Sequence, residues 1–249
     1  WLPLHHDMGL IGSTLALLRC GGTGHYLSPG DFLKDPLQWV ELMGRARATH
    51  VQGPNFAYGH AAKKFHERGG NAHYHFPGEG KSDPKRRALD LRSIRHIING
   101  AEPVTASAVA AFLSAFAPYG LDPTAMHPTY GLAEHVVFVC TGGRHVLTVD
   151  RAELLAGRAD VRKREAVADL AAGPPAPEEG AARLLGCGYP PEEVDLRIVT
   201  WAGEEKDGDS PPAAAEDGVV GEIWLAGASV TLGYFENPAA TAATFPGPL

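Results

Sequence analysis

The sequence contains few cysteines and no continuous apolar run long enough to cross a membrane. Its three cysteines, Cys20, Cys140 and Cys187, are far apart and include no Cys-x-x-Cys pair. A disulfide framework or a thiolate zinc site is therefore not expected, and a cytoplasmic or other reducing interior compartment fits best. The longest apolar stretch, residues 8–18, contains glycine and serine and falls short of the roughly 20 residues of a membrane helix. We predict no membrane span and no signal peptide.

Positive charge is also scarce, with 22 Lys and Arg against 29 Asp and Glu and a net charge of −7 at pH 7. The longest basic run, Lys85–Arg87, is too short to form a nucleic-acid-binding surface, so no nucleic-acid partner is expected. The 249 residues include 44% hydrophobic residues, as in ordinary globular proteins, and predict one large or two small domains. Because the chain starts at Trp1 and stops at Leu249 without a terminal signature, we expect a piece of a longer protein.

Residues 1–135 alternate helical patterns with short apolar strands, which is typical of a parallel α/β sheet. We predict that Asn55 caps one of these helices. A stretch rich in glycine, proline and charge, residues 69–88, predicts an exposed insertion. The predicted helices are 8–20 (buried), 35–48, 55–67 and 104–116, and the predicted strands are 25–27, 49–52, 95–98 and 126–129.

Residues 136–249 contain mostly short strand patterns and predict a small, largely antiparallel β-rich unit. Two segments rich in acidic residues, glycine, alanine and proline, residues 171–181 and 202–218, are expected to be solvated, mobile loops. The predicted strands are 136–140, 146–149, 183–186, 194–199 and 222–225, with one helix at 238–245.

Two glycine-containing turns follow predicted strands of the parallel sheet, where α/β proteins bind ligands. Asn99–Pro103 and Tyr130–Glu134 each combine a glycine, which allows close approach of the backbone to a flat ligand, with a carboxylate. The carboxylates are suited to Mg²⁺, and Tyr130 is suited to stacking on a base. The alternative interpretation is two ordinary turns whose glutamates cap helices.

The third candidate ligand site contains histidines. Adjacent His5 and His6 beside Asp7 lack the i, i+4 spacing of a helical zinc site, so an anion held at the following helix N-terminus is the better hypothesis. His73 and His75, in the predicted insertion, indicate at most an adventitious metal site.

Taken together and in order, these segments resemble the signature of fatty acyl-AMP ligases, a branch of the adenylate-forming enzymes. The resemblance covers nearly all of the chain outside the loops and is strong because many motifs are in register. The matching segments are Trp1–Gly12, Gly53–Tyr58, Leu89–Ser93, Asn99–Val104, Tyr130–Glu134, Leu147–Arg151, Gly221–Leu225, Gly233–Phe235 and Thr241–Phe245.

The resemblance implies a central part of the large N-terminal domain, with an α/β region followed by a distorted β-barrel-like unit. It implies an enzyme that condenses a fatty acid with ATP to acyl-adenylate and pyrophosphate and passes the acyl group to an acyl carrier protein, possibly within a polyketide or nonribosomal peptide synthase. It implies catalytic roles for His6, at the substrate carboxylate and α-phosphate, and for Glu134, as the Mg²⁺ ligand. The residues implied to bind the nucleotide are Asn99, Gly100, Ala101, Glu102, Tyr130 and Gly131.

The sequence departs from that signature at His5, where the family usually has Tyr, and at His135–Val136. The family's phosphate loop, ribose-binding aspartate and lysine-bearing C-terminal domain are not found in these residues, so the 249 residues alone are expected not to form acyl-adenylate. An acyl-CoA ligase, an amino-acid adenylation domain and a noncatalytic binding or scaffold module remain alternatives.

Overall fold

A computed structural model describes residues 1–70, 89–174, 176, 178–200 and 212–245. Most of the predicted insertion at 69–88 and much of the predicted loop at 202–218 lie outside these residues. No helix within the described ranges combines the length and apolarity that crossing a membrane requires.

Three short parallel strands form the sheet on which the first half is built. They are β1 (His50–Pro54), β2 (His96–Gly100) and β3 (Met126–Pro128), in the spatial order β1-β2-β3. His50 pairs with His96, and Ile97 pairs with Met126, so all three strands run in one direction. The predicted parallel α/β region is therefore confirmed.

Three helices pack against this sheet. Helix α3 (Leu37–Arg45) precedes β1, α4 (Asn55–Glu67) connects β1 to β2, and α5 (Ala106–Phe116) connects β2 to β3. Their apolar sides interlock in the main core, where Phe65, Phe112 and Phe116 are almost completely buried. The sequence predicted these three helices because their apolar residues recur at helical spacing.

Asn55 does not cap α4, contrary to the prediction. It is the first residue of that helix, and its side-chain oxygen accepts a hydrogen bond from the Thr105 backbone N–H at 3.1 Å. Its amide nitrogen lies 3.2 Å from the Thr105 hydroxyl oxygen. A tertiary partner 50 residues away therefore competes with the local cap and ties the N-termini of α4 and α5 together.

The N-terminal helix differs from the predicted buried helix. Met8–Leu15 is wound as a π-helix and continues as α1 (Ala16–Cys20). One side lies on the sheet, where the Gln52 amide donates a hydrogen bond to the Met8 carbonyl at 3.2 Å. Leu18 on α1 is 76% exposed, since no described residue covers that side of the helix.

The segment after α1 also differs from prediction. Residues 25–27 are irregular, not a strand, and they are followed by the short helix α2 (Pro29–Lys34), which was not predicted. Ser28 caps this helix by accepting a hydrogen bond from the Asp31 N–H at 3.0 Å, with proline at the first helical position.

The second half is β-rich, as predicted. Its elements are β4 (Thr141–Gly142), β5 (His145–Asp150), α6 (Arg151–Leu155), β6 (Val161–Ala166), β7 (Ala181–Leu185), β8 (Gly188–Tyr189), β9 (Val194–Thr200), β10 (Ala213–Ala214), β11 (Glu222–Gly227) and α7 (Pro238–Thr244). The strands form separate small antiparallel sheets with the orders β6-β5-β7, β4-β8 and β10-β9-β11. None closes into a barrel within the described residues.

The strand predicted at residues 136–140 is wrong. These residues form a turn, because Val136 adopts a left-handed conformation at φ +69° and only Cys140 pairs, in a single bridge to Tyr130. The predicted loop at 171–181 overlaps a 3₁₀ turn, Val167–Ala172, at its first two residues and β7 at its last. Strand β6 was missed because four of its side chains are charged and lie largely exposed on a sheet edge.

Tyr58 links helix α4 to the middle strand. Its side chain is fully buried, and its hydroxyl donates a hydrogen bond of 2.7 Å to the Ile98 carbonyl. We expect Tyr58→Phe to lower the free energy of unfolding by about 1–2 kcal/mol, because the hydrogen bond of a fully buried side chain is lost. Denaturant unfolding measures this change. Tyr189→Phe, which alters a side chain that is 80% exposed, is the matched control and is expected to have little effect; equal effects of the two variants would contradict the prediction.

Candidate active site

The two glycine-containing turns predicted as a ligand site lie side by side at the carboxyl edge of the parallel sheet. Strand β2 ends at Gly100 and β3 ends at Pro128, and the Thr129 N–H donates a hydrogen bond of 2.8 Å to the Asn99 carbonyl. The turn after β2 therefore adjoins the turn after β3, at the edge where open α/β sheets bind ligands.

The turn after β2 is tightly constrained. Ala101 has a left-handed backbone at φ +66°, which is uncommon for a residue with a Cβ, and strained conformations of this kind cluster at functional sites. A Cβ at Gly100 would lie 2.8 Å from the Thr129 carbonyl oxygen, so only glycine fits between the turns. Asn99 is fully buried, and neither of its amide atoms has a hydrogen-bond partner among the described residues.

Glu102 caps a helix. Its carboxylate oxygen accepts a hydrogen bond of 2.5 Å from the Phe56 N–H, in the first turn of α4. A carboxylate at a helix N-terminus is stabilised by the unpaired N–H groups there. For this glutamate, the structure therefore shows the capping interaction that was the alternative to a ligand contact.

Tyr130 lies in the turn after β3, and both its backbone N–H and its backbone carbonyl are hydrogen-bonded. Its N–H donates to the Cys140 carbonyl, and its carbonyl accepts from the Cys140 N–H, each at 3.0 Å. Burial raises the pKa of the Tyr130 phenol, with smaller contributions from nearby Cys140 and Glu134. Burial also raises the pKa of the neighbouring Cys187 thiol to about 11, so this thiol stays protonated at neutral pH.

Glu134 lies on the one-turn 3₁₀ helix Ala133–His135, directly after this turn, and is half-buried. One carboxylate oxygen accepts a hydrogen bond from the Tyr234 hydroxyl, and the other makes none to any described residue. The Glu134 carbonyl also accepts a hydrogen bond from the Thr231 N–H at 2.8 Å. Sequence reasoning included Tyr234 in a matching motif but gave it no role, because the contact spans 100 residues.

His6 lies on the segment that precedes the π-helix. Its Nδ1 is 2.8 Å from an oxygen of Asp7, and its side chain is 48% exposed. Asp7 also accepts a hydrogen bond of 2.5 Å from the Met8 N–H. Among the described residues, no hydrogen bond or ion pair joins His6 to the two turns; its polar partners are Asp7 and Met8.

Comparison with known proteins identifies the family. The family model described as AMP-binding enzyme matches residues 1–235. The chain belongs to the AMP-binding enzyme family.

Relatives within the AMP-binding family include fatty-acid ligases. The chain is 33% identical over 242 residues to a medium-chain fatty acid–acyl carrier protein ligase of Teredinibacter turnerae, covering 96% of this chain and 32% of that protein. It is 33% identical over 259 residues to a long-chain fatty acid–AMP ligase of Mycolicibacterium smegmatis, covering 98% of this chain and 34% of that protein. The chain thus spans about a third of the length of these curated relatives.

A solved structure of a fatty acyl-adenylate ligase also resembles this chain. A fatty acyl-adenylate ligase from L. pneumophila, in complex with acyl adenylate and pyrophosphate, superposes with a TM-score of 0.75 at 30% sequence identity. The superposition covers 97% of this chain and 37% of that chain. The predicted resemblance to fatty acyl-AMP ligases is confirmed, and the mixed α/β fold is that of adenylate-forming enzymes.

The candidate site is better suited to a Mg²⁺ ion that nucleotide phosphates also bind than to a metal ion held by protein side chains alone. Glu134 offers a carboxylate oxygen that no described residue engages. Among the described residues no three His, Cys, Asp or Glu side chains are grouped to hold a metal. Mg²⁺ often takes one or two carboxylates and completes its shell with water and phosphate oxygens, so a single glutamate beside a nucleotide suffices.

Gly131 is required by the packing of the site. A Cβ built on it would lie 1.8 Å from the Val137 carbonyl oxygen, far inside van der Waals contact. We expect Gly131→Ala to lower the free energy of unfolding by about 1–3 kcal/mol, because the 130–140 turn must shift to make room. Gly30→Ala is the matched control, since the nearest atom to its Cβ would be 3.8 Å away. Thermal unfolding of both variants tests this prediction. If Gly131→Ala were as stable as the parent, the turn would have room for a side chain and the prediction would be wrong.

Proposed function

We propose that the protein is a fatty acyl-AMP ligase. It joins a fatty acid carboxylate to ATP, releasing pyrophosphate and leaving an acyl-adenylate, and then passes the acyl group to an acyl carrier protein. The geometric observation that carries this proposal is the meeting of Gly100–Glu102 and Tyr130–Glu134 at one edge of the parallel sheet. That edge is where an α/β sheet binds a nucleotide.

The relatives support the substrate and acceptor classes. The T. turnerae relative is a ligase acting on medium-chain fatty acids and acyl carrier protein, and the M. smegmatis relative is a fatty acid–AMP ligase. The structural neighbour from L. pneumophila holds acyl adenylate and pyrophosphate, the two products of the proposed first step.

The nucleotide roles follow from the two turns. In this proposal, Gly100 and Ala101 present backbone to the adenine, beside Asn99 and Glu102, and Tyr130 and Gly131 line the same pocket with the ring of Tyr130 against the base. Glu134 holds Mg²⁺, which when bound neutralises phosphate charge during displacement at the α-phosphorus. Because Glu102 caps α4, its contribution is to fix the turn after β2 beside the base.

His6 orients the attacking carboxylate. The reaction forms a bond between a carboxylate oxygen and the α-phosphorus and breaks the bond from that phosphorus to pyrophosphate, so its rate depends on alignment. The exposed His6 imidazole, whose Nδ1 lies 2.8 Å from an Asp7 oxygen and 3.2 Å from the Met8 backbone nitrogen, is suited to hold that oxygen in line.

All three cysteines are free, which supports the expectation of a reducing cytoplasmic or other interior compartment.

The test uses the full-length protein with α-labelled ATP, Mg²⁺ and dodecanoate, with and without coenzyme A. We expect labelled acyl-adenylate that persists when coenzyme A is present and is consumed by an acyl carrier protein. Conversion to acyl-CoA would instead identify an acyl-CoA ligase. No adenylate with any fatty acid would contradict the proposal and leave amino-acid adenylation or a noncatalytic role.

Glu134→Gln keeps the shape of the side chain and removes its charge. We expect kcat/KM for acyl-adenylate formation to fall about 100-fold or more, because the phosphate charge is then poorly neutralised. Glu153→Gln is the matched control, since the Glu153 side chain takes part in a long, exposed ion pair with Arg158 at 3.9 Å. Similar activity of the two variants would remove Glu134 from the proposed site.

Neighbouring histidines provide a second matched pair. We expect His6→Ala to lower kcat/KM for adenylate formation roughly 10- to 100-fold, through loss of alignment. His5→Ala changes an exposed neighbour with no proposed role and should stay within about twofold of the parent. Steady-state pyrophosphate release measures both, and the reverse ranking would assign the role to His5.

A further inference from the structure

We propose that Tyr234 is a positioning residue that fixes the Glu134 carboxylate for Mg²⁺ and the nucleotide phosphates. The inference rests on the proposed function, because it assigns Glu134 to the metal. Tyr234 itself contacts neither substrate nor metal in this proposal; it acts through the glutamate.

The contact between these residues is a hydrogen bond to a charged acceptor. The Tyr234 hydroxyl donates to one oxygen of the Glu134 carboxylate, and the Thr231 N–H donates to the carbonyl of the same residue. Hydrogen bonds to carboxylates are stronger than those between neutral groups. Backbone and side chain of Glu134 are thus both held by the segment 231–234, about 100 residues further along the chain.

The segment that presents Tyr234 is itself rigidly built. The Tyr234 N–H donates a hydrogen bond of 2.9 Å to the Thr241 hydroxyl oxygen on α7, and its ring packs edge-on against Phe245 at 5.8 Å. Gly233 has φ +135°, and a Cβ there would lie 2.4 Å from the Thr241 methyl carbon. This turn therefore needs glycine and fixes the direction of the next residue.

A fixed glutamate matters because Glu134 is half-buried and sits on a single 3₁₀ turn, which does little to restrict its side chain. Ordering a glutamate side chain costs conformational entropy. If Tyr234 orders the Glu134 side chain before the nucleotide and Mg²⁺ bind, this entropy cost no longer weakens metal binding. One carboxylate oxygen stays bound to the tyrosine, and the other is left for the cation.

The experiment compares Tyr234→Phe with the parent in the full-length protein. Calorimetry measures binding of α,β-methylene-ATP, which resists adenylate formation, across a Mg²⁺ series that includes EDTA. We expect Tyr234→Phe to raise the Mg²⁺ concentration for half-maximal binding about 3- to 10-fold. Affinity in EDTA should stay within about twofold, because the base contacts are unchanged. Tyr189→Phe is the matched control and should behave as the parent.

Two further sets of variants separate positioning from a purely structural role. In the Glu134→Gln background, Tyr234→Phe should cause no additional change in the Mg²⁺ requirement, because the two residues act as one unit. Thr241→Val, which removes the acceptor of the Tyr234 N–H, should reproduce part of the Tyr234→Phe effect. Thr241→Ser keeps the oxygen and should restore the parent behaviour.

The outcomes are distinguishable. If the parent binds the analogue with a Mg²⁺ dependence and Tyr234→Phe leaves that dependence unchanged, the positioning role is wrong and the proposed function stands. If Tyr234→Phe lowers the melting temperature without moving the Mg²⁺ requirement, the hydroxyl is only structural and the inference is also overturned. If the parent itself shows no Mg²⁺-dependent binding, the assignment of Glu134 fails, and the positioning role fails with it.

Discussion

The parallel pairing of three short strands is the constraint on which the candidate site depends. Parallel strands place their carboxyl ends at one edge, so turns that are far apart in sequence must meet there. In this chain the turns after β2 and β3 meet through the hydrogen bond from Thr129 to Asn99. Helices α4 and α5 hold the pairing in place by burying one face of the sheet, and Tyr58 bonds one of them directly to the middle strand.

The site is assembled from unusual backbone rather than from regular elements. Ala101 and Val136 both have left-handed φ values, and Gly131 lies against a carbonyl that would exclude any side chain. Such conformations are unfavourable locally and persist because surrounding contacts enforce them. His135, a departure from the fatty acyl-AMP ligase signature, is one of these contacts: it is 2% exposed, and its Nδ1 lies 3.0 Å from the Phe138 carbonyl oxygen.

Glu102 and Glu134 occupy similar turns in the sequence but have different hydrogen-bond partners in the structure. Glu102 faces the first turn of α4 and accepts its N–H, so its charge is already satisfied by the helix. Glu134 accepts a tyrosine hydroxyl on one oxygen and keeps the other available. Only the second arrangement is suited to a cation, because a metal needs a carboxylate oxygen that the protein has not already engaged.

Local sequence patterns were sufficient to predict the family, the order of helices and strands from α3 to β3, and which turns follow which strands in that region. These follow from local periodicity and from contiguous motifs. The sequence did not determine that residues 136–140 turn, that Asn55 bonds to Thr105, or that the N-terminal helix lies with apolar side chains exposed. It also gave no indication that Tyr234 would meet Glu134. The Asn55 and Tyr234 contacts join residues 50 and 100 positions apart, and packing and strand pairing bring such partners together, so local sequence patterns carry no information about them.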